Sequence, residues 1–346
     1  MSIALLVPGP LDTLSGGYNY DRRIADGLRA LGHEAHILEL AGRHPLPDAA
    51  AEEAARATLA SVPETVRIVV DGLGLPAFAP LAEELQRRRA VALIHHPTAL
   101  EKGFAPEDRD ALKARECALY PRMARLIATS PLTAERLREE FGADPARIGV
   151  VEPGTDPAPR AVGSGGPGVA VLSVGALTPR KGHDVLMRAL AGLPDLEWSL
   201  TIVGPARDTV HAHGLSALAE ELGIAQRVTL AGAVDAATLD SLYHHADVFA
   251  LATWWEGYGM AAAEALARGL PLAITAGGAI AELVPMEACI CSPPGDVVSL
   301  TKALRRLLFD HTLRAEMAEA AWAAGQHLPR WEDRASAFLT ELGRAG

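Results

Sequence analysis

The chain has 346 residues, 49% of them hydrophobic and 22% charged, which is enough to bury two ordinary cores and too much for one small domain. Its 32 basic and 43 acidic residues leave a formal net charge of −11, which argues against non-specific binding to nucleic acid and broad attraction to an anionic membrane. No apolar run reaches the ~18 to 20 residues needed to cross a bilayer, and Met1 to Gly9 has no basic flank or processing site, so a cytoplasmic protein without an integral membrane segment is expected.

Short apolar runs alternate with longer helical patterns along the whole chain, the signature of parallel sheets covered by helices. In the first half Ser2 to Val7, Glu34 to Leu40, Val66 to Val70, Ala90 to His95, Leu126 to Thr129 and Ile148 to Glu152 read as strands. Tyr18 to Leu31, Ala49 to Ala60, Pro76 to Arg88, Pro106 to Leu119 and Leu132 to Phe141 read as the helices between them. Pro153 to Pro159 and Gly163 to Gly168 sustain neither helix nor strand and mark a domain boundary. The strands of the second half are Val169 to Val174, Trp198 to Val203, Arg227 to Ala231, Val248 to Ala252, Leu270 to Thr275 and Ala288 to Cys291. Domains over 1–158 and 168–330 follow, with a last amphipathic helix over 331–346. Two doubly wound units of this kind place ligands at the carboxyl ends of their strands.

The densest information lies between Trp254 and Val284. Gly257 and Gly259 break regular structure, Met260 to Arg268 is rich in Ala and Leu, and Gly269 with Pro271 closes that helix. Glu264 then falls in the second turn and Glu256 on the loop before it, roughly 10 Å apart at ~1.5 Å rise per residue. That spacing suits an elongated ligand, with the free N–H groups of the helix start facing an anion such as a diphosphate between two acids that hold hydroxyls. It is too wide for the paired carboxyls of a retaining glycosidase, about 5 Å apart. A surface helix after a turn is the alternative for the Glu pair alone.

Other segments carry chemistry at strand ends. Ser15-Gly16-Gly17-Tyr18 leads into the first helix, where adjacent glycines either let backbone N–H groups approach a phosphate or sugar or simply make a loop. The three-glycine dinucleotide fingerprint is missing, which removes the main support for an NAD-dependent enzyme. Val174 to Gly182 sets Arg180 and Lys181 after a strand, as a phosphate fork or as a solvated corner. His95 and His96 close another strand and serve a site or a structural hydrogen bond. Ser130 is placed to cap the helix after it. Cys117, Cys289 and Cys291 read as buried thiols, Arg87-Arg88-Arg89 as a solvated helix end, and Asp108-Arg109-Asp110 as the exposed start of a helix. None of the other histidines has the spacing of a zinc site.

The run Glu256-Gly257-Tyr258-Gly259, Glu264-Ala265, Gly269-Leu270-Pro271 and Gly277-Gly278 resembles the donor-binding core of the family 4 retaining glycosyltransferases. The resemblance implies a GT-B fold, two Rossmann-like α/β domains facing a central cleft, with the last helix crossing back onto the first domain. It implies that Glu256 contacts sugar hydroxyls, that Glu264 holds the ribose, and that Lys181 with Arg180 grips the donor diphosphate. Ala176 stands where many members carry an Arg, and Arg180 is expected to supply that charge. His95 is expected at the transferred sugar, and Gly16, Gly17, Gly204, Val234, Gly257, Tyr258, Gly259 and Met260 around the donor.

The expected activity is transfer of a hexose from a nucleoside-diphosphate sugar, with uridine favoured, to a hydroxyl of a small molecule or glycan. The configuration is retained, the departing phosphate helps remove the acceptor proton, and no metal or other cofactor is required. A hydrolase or epimerase acting without an acceptor, and a silent sugar-nucleotide sensor, are the alternatives.

Overall fold

The computed structural model describes residues 1–11, 15–101 and 104–345. Contacts divide the chain into two compact units, one formed by Met1–Gly154 with Pro329–Gly346 and the other by Thr155–Leu328.

In the first unit β1 (Ser2–Pro8), α1 (Gly16–Ala30), β2 (Glu34–Leu40), α2 (Ala49–Ser61), β3 (Arg67–Asp71), α3 (Ala82–Arg87), β4 (Val91–Ile94), α4 (Pro106–Leu119), β5 (Arg125–Ala128), α5 (Pro131–Phe141) and β6 (Ile148–Val150) follow one another. The sheet is parallel throughout, in the order β2-β1-β3-β4-β5-β6. Both faces are covered, so β1 and β4 are apolar along their length instead of alternating. The direction of winding reverses between β1 and β3, and ligands of open α/β sheets bind at such a reversal, outside the carboxyl ends.

The second unit runs β7 (Val169–Val174), α6 (His183–Ala191), β8 (Trp198–Val203), α7 (Thr209–Glu221), β9 (Val228–Gly232), α8 (Ala236–His244), β10 (Val248–Leu251), α9 (Met260–Ala267), β11 (Leu272–Thr275), α10 (Ile280–Leu283), β12 (Cys289–Ser292), α11 (Val297–Phe309) and α12 (His311–Gly325). Its order, β12-β11-β10-β7-β8-β9, is that of a Rossmann sheet, with the reversal between β7 and β10. Two apolar clusters cover its faces, one around Leu186, Leu200 and Leu304 and one around Phe249, Leu266 and Ile274.

The final helix α13 (Trp331–Arg344) belongs to the first unit. Its Trp331 meets Tyr20 edge to face at 5.7 Å, Ala335 lies where a side chain on Gly27 would have to go, and Glu341 pairs with the buried Arg125 of β5. The Arg89 guanidinium donates to the Ala345 carbonyl at 2.8 Å, and Arg88 donates to the carbonyls of Leu59 and Pro63. The three-arginine run is a solvated helix end at Arg87, the exposed last residue of α3, which pairs with Glu64 and Glu84, while Arg88 and Arg89 in addition tie to backbone carbonyls.

Other expectations shift in detail. Pro76 to Arg88 is not one helix: Leu75–Leu81 is a 3₁₀ segment and only Ala82–Arg87 is α-helical. Pro80 lacks the N–H that a continuous helix would need there. Gly16 and Gly17 do not precede the first helix in a loop but form its first two residues, with the Ser15 hydroxyl capping the N–H of Tyr18. Ser130 caps α5 through the N–H of Thr133 at 3.1 Å. Of the three thiols only Cys289 is fully buried, while Cys117 and Cys291 are half-buried.

Candidate active site

At the reversal point of the second unit, the turn after β7 and the loop after β10 bring opposite charges together. Lys181 Nζ lies 2.6 Å from Glu256 Oε1, Arg180 Nη1 lies 3.3 Å from the same oxygen, and the Thr253 hydroxyl donates to it at 3.1 Å. Glu256 is 8% exposed. Burial pushes its carboxyl up, but Lys181 and Arg180, with the hydrogen bonds from Lys181 and Thr253, outweigh that and hold it below the ordinary glutamate range. Burial also lowers Lys181, opposed by Glu256 and reinforced by Arg180. The result is a buried ion cluster in which one carboxylate oxygen collects three donors.

Glycines set this geometry where backbone must approach backbone. Gly182, at φ +63°, sits where a Cβ would overlap the Ala252 carbonyl. That close fit lets the Arg180 carbonyl accept from the N–H of Trp254 at 2.8 Å, binding the turn to the strand end. Gly277 and Gly278 do the same on the other side: side chains there would overlap the backbone of Thr253 to Glu256. The Glu256 N–H donates to the Gly277 carbonyl at 2.7 Å, and the Ala279 N–H donates to the Glu256 carbonyl at 2.9 Å. Glu256 is thus held on both its backbone and its side chain.

Gly259, at φ +108°, precedes α9 without a side-chain cap, and Met260 opens the helix half-buried. Gly257 is half-buried and Tyr258 buried in the same loop. Glu264 lies in the second turn of α9, where its Oε2 accepts from the Tyr243 hydroxyl at 2.9 Å. Burial raises the Glu264 carboxyl above its usual range against the opposing pull of Tyr243 and Arg268. Gly204 at the end of β8, φ +156°, leaves room for the Gly175 carbonyl, and Val234 packs half-buried beside the cluster that contains Phe249.

The reversal point of the first unit carries a second cluster. His95, at the end of β4, places Nε2 3.1 Å from Asp71 Oδ2 at the end of β3 and 3.4 Å from Asp21 Oδ1 on α1. Asp21 is fully buried and Asp71 is 3% exposed. Burial pulls the imidazole down, but the two carboxylates outweigh it and push His95 up to about 10. Asp21 is raised to about 6 by burial and by the neighbouring charge of Asp71. Gly17 lies against the ring, where a Cβ would stand 3.5 Å from His95 Cδ2. Asp21, Asp71 and His95 offer ligand atoms within 4.8 Å of one another, and the His95 ring lies at ion-pair distance from both acids. His96 faces Glu101 at 3.8 Å and takes no part in it.

Residues 159–323 match the model for glycosyl transferases group 1, and residues 64–159 match that for glycosyltransferase family 4. The chain belongs to glycosyltransferase family 4. Its relatives include the D-inositol 3-phosphate glycosyltransferase of Mycobacterium sp. (strain KMS), 36% identical over 211 residues that make up 56% of this chain and 48% of that one. This family 4 chain spans about half the length of that relative. Among solved structures, sucrose-phosphate synthase from Thermosynechococcus elongatus superposes with a TM-score of 0.83 at 20% identity, covering 98% of both chains. The Anabaena protein HepE in complex with UDP and glucose gives 0.78 at 16% identity, covering 99% of this chain and 100% of that one. The fold is therefore GT-B, with two parallel α/β units. No helix among the described residues is long and apolar enough to cross a membrane.

In this family 4 chain the second unit brings Arg180, Lys181 and Glu256 into one cluster and sets Glu264 on the following helix, while Gly16, Gly17 and His95 lie in the first unit. Reasoning from sequence passed over Thr253, Tyr243, Asp21 and Asp71. Thr253 and Asp71 carry a usable signal, since each sits at or just past the carboxyl end of a strand beside a reversal point. Asp21 and Tyr243 lie inside helices, and only the fold brings them to His95 and Glu264.

Proposed function

We propose that this chain is a retaining, metal-independent glycosyltransferase that moves a hexose from a UDP-sugar to a hydroxyl of a small acceptor. The second unit, from about residue 168 to 330, holds the donor, and the first unit, 1–158 with the last helix, holds the acceptor. The observation that carries the reading is the buried convergence of Lys181 and Arg180 on Glu256 at the reversal point of a Rossmann sheet. Two cations held by a single carboxylate oxygen are a prepared site for a more highly charged anion. The UDP in the HepE complex supports this donor class, and the name D-inositol 3-phosphate glycosyltransferase supports a small acceptor.

On this reading the diphosphate takes over Lys181 and Arg180, which with the open start of α9 at Gly259 and Met260 stabilise the negative charge it gains as the glycosidic bond breaks. Glu256, freed of its cations but still fixed by its backbone, turns to hydroxyls of the hexose. Glu264, half-buried and steadied by Tyr243, receives the ribose, and Gly204 and Val234 flank the base. The acceptor hydroxyl attacks the anomeric carbon on the face the phosphate leaves, and its proton passes to a departing phosphate oxygen. His95 supplies a hydrogen bond to a hydroxyl of the reacting ligands.

Melting of the full chain with UDP-, GDP- and ADP-sugars tests the donor, and the anomeric coupling constant of the product tests the stereochemistry. UDP-sugars at a hundredfold excess over Kd are expected to add ~2.7 kcal/mol, about 5–10 °C in Tm for a unit of this size. An α-linked donor is expected to give an α-linked product. A β linkage, or complete consumption of the donor with no acceptor present, overturns the reading.

A further inference from the structure

His95 stands between two buried acids in a way its proposed contact with a ligand does not require. Its Nε2 is buried and points between Asp21 and Asp71, at ion-pair distances but without an aligned hydrogen bond, and neither oxygen of Asp21 has any other hydrogen-bond partner. A lone pair on Nε2 would face two carboxylates, so Nε2 carries a proton. Nδ1 has no hydrogen-bond partner among the described residues and is not among the buried unpaired atoms, which leaves it as the accessible edge of a ring that is 23% exposed. The charged and titratable groups around the ring are Asp21 and Tyr20 of α1 and Asp71 of β3, with Arg22 acting on Asp21 and Arg334 of α13 acting on Tyr20. Among the described residues no cation pairs with the imidazole, and both acids favour its second proton, in line with the raised value of about 10.

We propose that Asp21 and Asp71 are positioning residues that lock the His95 ring with Nε2–H inward and Nδ1–H outward, making it a fixed cationic hydrogen-bond donor and not a general base. This rests on the reading that His95 belongs to the active site. It adds the sign of the group: such a donor suits a hydroxyl or phosphate oxygen and leaves removal of the acceptor proton to the departing phosphate.

The test is ¹⁵N NMR of the full chain labelled at histidine, with the His95 signals assigned by their loss in His95→Gln. In the wild type both ring nitrogens are expected to stay protonated through neutral pH. In Asp71→Asn the midpoint should fall toward the ordinary histidine value of about 6.5. Asp21→Asn is expected to shift it the same way, and serves if Asp71→Asn does not fold. In turnover, Asp71→Asn should acquire a new loss of rate as pH rises through that midpoint, where the wild type is flat. Titration of wild-type His95 near its ordinary value, an unmoved midpoint in both variants, or His95 signals altered by added Zn²⁺ or Mn²⁺ overturns the proposal. Failure of the functional reading looks different, since His95→Gln would then keep full turnover whatever the NMR shows.

Discussion

Lys181→Ala is expected to lower turnover by about 100-fold or more, the cost of removing one preorganised charge from a developing anion, and to destabilise the second unit at the same time. The second effect follows from what is left behind. Glu256, at 10% side-chain exposure, would keep only Arg180 at 3.3 Å and Thr253 at 3.1 Å. Breaking a buried ion pair from one side costs about 3–5 kcal/mol, and the two surviving partners place this case at the lower end or below. The loss also has a pH signature. The Glu256 carboxyl is depressed in the folded chain, so its contribution is complete above the unfolded value near about 4.3 and disappears as pH falls through the lower folded value. In Lys181→Ala the carboxyl rises again, so the difference in stability from wild type is large at neutral pH and shrinks in acid. Chemical denaturation at two pH values, beside turnover, checks both parts. Equal destabilisation at both pH values would show that Glu256 does not depend on Lys181.

Gly182→Ala has the largest effect expected of a residue that touches no ligand. The position has φ +63°, which costs an L-residue about 1–2 kcal/mol. The added Cβ also meets the Ala252 backbone carbonyl, which cannot rotate aside, and overpacking of this kind adds about 1–3 kcal/mol. The turn and the strand end are joined there by the bond from the Trp254 N–H to the Arg180 carbonyl. Pushing them apart separates Lys181 from Glu256. A fall of about 3 kcal/mol in unfolding free energy is expected, with loss of turnover in whatever protein remains folded. Gly223→Ala is the control: it shares the left-handed backbone, φ +69°, but has nothing within 4 Å of its would-be Cβ, so it should lose only the conformational part. Equal losses in the two variants would show that the contact with Ala252 is not what matters.

The sequence reveals most of what depends on local rules. Parallel strands buried on both faces show as short apolar runs, and β2, β7 and β8 fall at the expected residues because turns and polar positions bound them sharply. The helix after Gly259 and the cap at Ser130 are legible for the same reason. Pro80 was a visible warning that the span from Pro76 to Arg88 would not be one helix. The illegible parts depend on residues far apart in the chain. Asp21 looks like an ordinary helix acid until β3 and β4 deliver Asp71 and His95 to it, and Arg89 looks solvated until the last helix brings the Ala345 carbonyl. Gly277 and Gly278 were recognisable as a pair, but their role as backing for Glu256 exists only once β10 and β11 lie side by side.

Calorimetric titration of UDP into the wild type, Lys181→Ala and Glu256→Gln bears most directly on the claim that a diphosphate displaces Glu256 from its cations. Loss of Lys181 should weaken UDP binding, whereas loss of the Glu256 charge should strengthen it by freeing Lys181 and Arg180, even as transfer of the sugar stops. UDP binding that weakens equally in both variants would contradict the account.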